Sequence, residues 1–154
     1  MHKGEKIKLL INTLARPLQI GVYEDSRLKE VKRYEGLTSE ILLPILEKFI
    51  KENNIEEIIY TNGPGSHMAT KIAYVLLKTL SLIRDIPIRS VNGFELNDNK
   101  PIKALGKLYF IKEKENIITK RFDQEIKEEF FMPNSLDDIS ISKDIEPNYL
   151  ISPV

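Results

Sequence analysis

Cysteine is absent from the 154-residue chain, which excludes disulfide bridges and thiolate metal sites and fits a reducing compartment. Histidine occurs only as His2 and His67, and neither has a second histidine or a carboxylate spaced to share a metal ion. An excess of one charge is missing too. Lys plus Arg and Asp plus Glu both number 23, so no overall field would hold nucleic acid. RNA contact would have to come from a local patch or through a partner. The apolar runs are too short to cross a bilayer, and the start, Met1 to Lys6, lacks the apolar stretch of a signal peptide. A cytoplasmic protein with no membrane contact is expected.

What is present suits a packed core. Hydrophobic residues make up 42% and charged residues 30%, as in a globular domain, and the length corresponds to one domain or one with a short appendage. Lys6–Asn12 and Leu18–Tyr23 are apolar, β-branched runs around a loop holding Arg16 and Pro17, and Leu28–Tyr34 is a third, less regular run. Apolar residues then recur at helical spacing from Ser39 to Lys51, with Thr38 or Ser39 as the expected N-cap and Pro44 bending the helix start. Ile55–Tyr60 reads as a strand, His67–Arg84 as a second long helix and Ile86–Val91 as another strand.

The order β-β-β-α-β-α-β predicts an α/β domain with a mixed five-stranded sheet of ribonuclease-H-like type over residues 1–97. Residues 98–101 are polar and turn-rich, and 98–154 reads as a reduced second lobe and tail. Strands are expected there at Leu105–Ile111 and Ile117–Phe122, with a short one at Phe130–Met132. The last twenty residues, including Pro147 and Pro153, read as irregular chain packed on the body or partly loose.

Candidate chemistry is sparse. Gly63, Gly65 and Ser66 sit between a strand and a helix, where outward N–H groups can bind an anion. The same glycines also serve a tight structural turn, and with no Walker lysine and with Pro64 removing a donor the turn is the favoured reading. Ser66 and His67 are adjacent and point about 100° apart, which does not suit a catalytic pair. Asn12, at the end of the first strand, is neutral where metal-assisted chemistry on such a sheet would want an acid. No catalytic residue, cofactor or metal ligand is assigned.

The helices carry more. At 100° per residue their apolar arcs span roughly 200° and roughly 220°, whereas a helix on a sheet needs a stripe of only ~100° or somewhat more. Either the two helices and the C-terminal chain cover one another, or the surplus is a partner surface. On the second reading the contact draws on Leu42, Leu46, Phe49, Ala69, Ile72, Ala73 and Leu76, and a lone copy forms a two-fold homodimer with a four-helix interface.

Several spaced motifs resemble one family. Ile58 through Ser66, then Lys71-Ile72-Ala73, Lys78, Ile86-Pro87 and Val91-Asn92, are similar to the TsaB family. So are Leu10 through Thr13 with Arg16-Pro17-Leu18, and Ser39 through Pro44. The resemblance covers residues 6 to about 112. It implies one lobe of the actin-like ATPase fold and a non-catalytic scaffold subunit for making threonylcarbamoyladenosine at position 37 of tRNA. The implied partners are a TsaD-like catalytic paralogue, bound through the two long helices, and a TsaE-like ATPase, with tRNA met only indirectly. The chain departs from the family pattern at Asn12, where an aspartate is usual, at His67-Met68-Ala69 for a Phe-Thr-Gly run, and at Lys71 for an arginine. With the shorter second lobe, these mark a truncated or divergent member. Two rival readings stand beside it: a nucleotide-binding sugar-kinase-like or peptidase-like enzyme, and a degenerate homodimeric interaction protein outside the tRNA pathway.

Overall fold

A computed structural model describes residues 6–148. Strands β1 (Lys6–Asn12), β2 (Leu18–Glu24) and β3 (Arg27–Tyr34) form a meander, followed by helix α1 (Thr38–Glu52), strand β4 (Asn54–Thr61), helix α2 (His67–Arg84) and strand β5 (Ile88–Val91). A short 3-10 turn, Gly93–Leu96, leads to strands β6 (Ile102–Leu105), β7 (Leu108–Glu113) and β8 (Asn116–Arg121), and the chain returns to a two-residue strand, β9 (Ile141–Ser142). The large sheet has the order β3-β2-β1-β4-β5-β9, with β1, β4 and β5 parallel and the remaining pairs antiparallel.

This is the mixed α/β sheet expected from the sequence, but with six strands in place of five. The sixth, β9, pairs through only Ser90 with Ser142 and Val91 with Ile141, too short to leave a periodic signal. Two other expectations are corrected. Leu105–Ile111 is not one strand, because Gly106 takes a positive φ of 57° and turns the chain between β6 and β7. Phe130–Met132 is not a strand.

Both faces of the large sheet are covered, which is why its central strands are near-continuous apolar runs. Leu9, Ile11, Ile20, Ile58 and Tyr60 meet Leu42, Leu46, Phe49, Ala73 and Leu77 of the two helices. On the opposite face Leu10, Tyr23, Ile59 and Val91 are covered by Met132 and Leu136. Gly21 lets Met132 sit close, since a Cβ there would stand 2.9 Å from its sulfur. The buried Tyr23 hydroxyl donates to the Pro133 carbonyl at 2.7 Å, and burial holds its phenol protonated well above the usual range. The chain from Phe130 to Asn148 therefore belongs with the large sheet. Only β6–β8 stand apart, joined to it through Phe94, Ile102 and Phe110.

The segment after β9 follows the β5 edge. Tyr60 donates its hydroxyl to the Ile145 carbonyl and Ser90 to that of Asp144, and the Asn148 amide donates to the Asn62 carbonyl at 2.7 Å. Tyr74 of α2 donates to the Glu146 carboxylate at 3.2 Å. Up to Asn148 the tail is packed on the body, and Pro153 lies outside the described residues.

Candidate functional site

Two places could carry function: the cleft at the C-terminal ends of β1 and β4, and the outer face of α2. The cleft, about 1010 Å³, lies between the β1–β2 loop, the start of α2 and the small sheet. Arg16, Gln19, His67, Lys103 and Glu128 are among its lining. Glu128 accepts from the Lys103 amide at 3.1 Å, and burial pushes its carboxyl above the usual range.

The deep end of the cleft is closed by the chain itself. Leu14 is wedged between the two glycine turns. A Cβ on Gly65 would meet its Cδ2 at 2.5 Å, and a Cβ on Gly93 would meet its Cδ1 at 2.5 Å. Gly63 has φ +106°, and a Cβ there would stand 3.0 Å from the Asn148 carbonyl oxygen. Ser66 caps α2, its hydroxyl accepting from the Ala69 amide at 3.3 Å. So Gly63, Gly65 and Ser66 are engaged in packing and capping, and Leu14 fills the notch beside the α-carbons of Gly65 and Gly93.

Asn12 is likewise a structural residue. Fully buried, it accepts from the Leu14 amide at 3.0 Å and from the Thr61 hydroxyl at 3.4 Å, closing the loop at the end of β1. Its amide nitrogen and the Gln19 side-chain oxygen have no hydrogen-bond partner. Among the described residues no three His, Cys, Asp or Glu side chains cluster as metal ligands. His67 lies at the first turn of α2, and His2 falls outside the described residues.

The Leu14 wedge makes a testable demand. Gly93→Ala should destabilise the protein by about 1–3 kcal/mol, because the added methyl collides with Leu14 and crowds Ile102. Leu14→Ala removes the obstacle, so in the double variant the two effects should add to less than their sum by about 1 kcal/mol or more. Denaturant melts of the four proteins measure this. Simple additivity would mean that Leu14 does not fill the notch.

The helix surface differs from its sequence-based outline. Leu42, Leu46, Phe49 and Ala73, expected at a contact between chains, lie in the core between the helices and the sheet. They have no surface to offer a partner, because each helix spends that side of its arc on its own sheet. Ala69, Ile72 and Leu76 are half-buried.

The free apolar surface of α2 lies on the opposite side. Met68 is 69% exposed, Val75 53% and Leu82 80%, and with Ile72 and Thr79 they follow steps of four, three, four and three residues. That is the spacing of a seam that packs against another helix. Ile83, 70% exposed, widens it near the C-terminus, and α1 presents Leu43 to solvent. Sequence periodicity recognised this surplus of apolar arc. Of the residues it named, Ile72 lies in the line and Ala69 and Leu76 are half-buried beside it, whereas Leu42, Leu46, Phe49 and Ala73 face the sheet. No helix among the described residues is long and apolar enough to cross a membrane.

No protein-family model and no curated protein matches the sequence. Solved structures do match in fold. YeaZ from Pseudomonas aeruginosa superposes with a TM-score of 0.56 at 14% identity, over 75% of this chain and 64% of that one. A protein described as uncharacterised, with similarity to the peptidase YeaZ from Pseudomonas aeruginosa, superposes with the same score and identity, over 75% of this chain and 63% of that one. The chain thus spans somewhat under two thirds of the length of these neighbours, and what it shares with them is the YeaZ (TsaB) fold.

Proposed function

We propose that this chain is a non-catalytic scaffold subunit for threonylcarbamoyladenosine formation at position 37 of tRNA, binding a TsaD-like catalytic paralogue. The observation that carries this reading is the exposed Met68–Ile72–Val75–Leu82 seam on α2, carried on a YeaZ-like fold. Exposed apolar surface at helix-packing spacing is built to meet another helix. The paralogue supplies the metal and the transfer chemistry, a TsaE-like ATPase joins the assembly, and tRNA reaches this subunit only through its partners. In the absence of the paralogue the same seam pairs two copies of the chain.

The enzyme reading, sugar-kinase-like or peptidase-like, would place chemistry in the cleft. Leu14 fills its glycine-lined notch and the Ser66 hydroxyl is committed to the helix cap, which favours the scaffold. Affinity purification of the full chain from its native cell, with mass spectrometry of what co-elutes, tests the proposal. A TsaD-like protein is expected in stoichiometric amount. Its absence, together with micromolar nucleotide binding by the lone subunit, would favour the enzyme. A homodimer without any such partner would leave the degenerate interaction protein.

A further inference from the structure

We propose that the open edge of β3, with the cavity beside it, is a docking site for an extended acidic segment of a partner protein. This goes beyond the scaffold reading and uses a different surface from the α2 seam. β3 is the terminal strand of the large sheet; it pairs with β2, and on its outer edge Arg27 and Leu28 at its start meet Asn134 and Ser135. In a chain of zero net charge, its eight residues hold Arg27, Lys29, Lys32 and Arg33 against the single acid Glu30. Lys29 is paired with Glu24 at 2.7 Å and Lys32 with Glu30 at 3.8 Å. Arg33 and the nearby Lys48 of α1 have no ion pair among the described residues.

Charge on an edge strand commonly serves only to keep other strands away. Here it borders a cavity of about 370 Å³ between β3 and the last turns of α1. Ile45, Phe49 and Tyr34 supply apolar wall and Lys32 and Lys48 positive charge, with Glu52 the one acid in the lining. Arg33, between Lys32 and Tyr34 in the strand, turns its side chain to the other face of the sheet. The Lys32 ammonium stands 5.4 Å from the centre of the Phe49 ring. A guarding charge needs no such cavity. A strand added to an edge does, because its alternate side chains need pockets while its backbone supplies the hydrogen bonds.

The start of this edge already accepts a strand-like segment. The Leu28 amide donates to the Asn134 carbonyl at 2.9 Å, the Leu136 amide donates to the Ser26 carbonyl at 2.8 Å, and Arg27 bridges Ser135. An incoming segment continues that pairing along Lys29–Tyr34. Its sequence places one apolar side chain in the cavity, with acids two residues to either side on that same face meeting Lys32 and Lys48, and an acid on the other face meeting Arg33. A second copy of β3 does not fit, since it would set cations opposite cations.

The test titrates the acetylated heptapeptide Val-Glu-Glu-Leu-Glu-Glu-Val, whose leucine shares a face with one glutamate on either side and has glutamates on the other face, into the full-length protein and follows backbone amide resonances. Shifts are expected at residues 29–34 and 45–52. Arg33→Glu with Lys48→Glu should weaken binding about tenfold or more, and N-methylation of alternate peptide amides should abolish it. Val75→Arg should leave it unchanged, so failure of the α2 reading does not affect this one. Shifts mapping elsewhere, equal binding by the charge-reversed protein, or full binding of the N-methylated peptide would each overturn the proposal. Tighter binding of an oligouridylate at the same residues would assign the edge to RNA and overturn it too.

Discussion

Ala73→Arg is expected to leave little folded protein. Ala73 is fully inaccessible, packed in the core formed by the two helices and the large sheet. An arginine there has neither space nor a counter-charge, and an unpaired buried charge costs several kcal/mol after relaxation. A domain of this size is stable by only about 5–15 kcal/mol, so the substitution removes a large share of the total. Circular dichroism with thermal melts should show loss of the cooperative transition or a midpoint lowered by many degrees. A folded monomer melting within a few degrees of the wild type would mean that Ala73 faces outward, as the width of the apolar arc had suggested.

That substitution marks the limit of what periodicity can say. The arc measures how much of a helix is apolar, and it does not say which part meets the sheet. On α2 the buried line runs through Thr70, Ala73, Leu77 and Leu80, and the free line through Met68, Val75 and Leu82. Both fall within one broad apolar sector, and only the placement of the sheet separates them. The bounds of α2 were legible because both ends have local chemistry: the Ser66 cap at the start, and Asp85 in the left-handed conformation at the end. For α1 the expected Thr38 or Ser39 cap is replaced by Leu37, which makes no side-chain cap bond, and a sequence rule based on capping oxygens misses it.

The strands divide in the same way. β1, β2 and β4 are legible because burial on both faces leaves largely apolar runs, broken internally only by Lys8, Gln19 and Glu56-Glu57. β9 is held by pairing with Ser90 and Val91, and the chain just after it by the Ser90 and Tyr60 hydroxyls, residues far away in sequence. The Leu14 wedge is hidden for a related reason, since it joins three loops around residues 14, 65 and 93 that only the folded sheet brings together. What the sequence did show of that site was its glycines, read as a tight turn in preference to an anion site, with nothing to say that Leu14 would pack against them.

Val75→Arg should have the opposite outcome to Ala73→Arg, two residues away and about 200° round the helix. Val75 is 53% exposed at the middle of the α2 seam, so the monomer should keep its stability within about 0.5 kcal/mol. Association should fail. At the centre of a helix–helix contact the guanidinium would be buried without a partner, and the loss expected for such a central position, about 2.7 kcal/mol or more, is a hundredfold in affinity. Salt should restore little of it, because the cost is desolvation and not repulsion between exposed charges. Sedimentation velocity across a concentration series reads the self-association, and co-purification with the TsaD-like paralogue reads the hetero-complex. Both should fall together if one seam serves both. Loss of the homodimer with the hetero-complex intact would place the paralogue on another face. If both assemblies survived unchanged, the exposed apolar seam would have no part in them, and the scaffold reading would lose the observation it rests on.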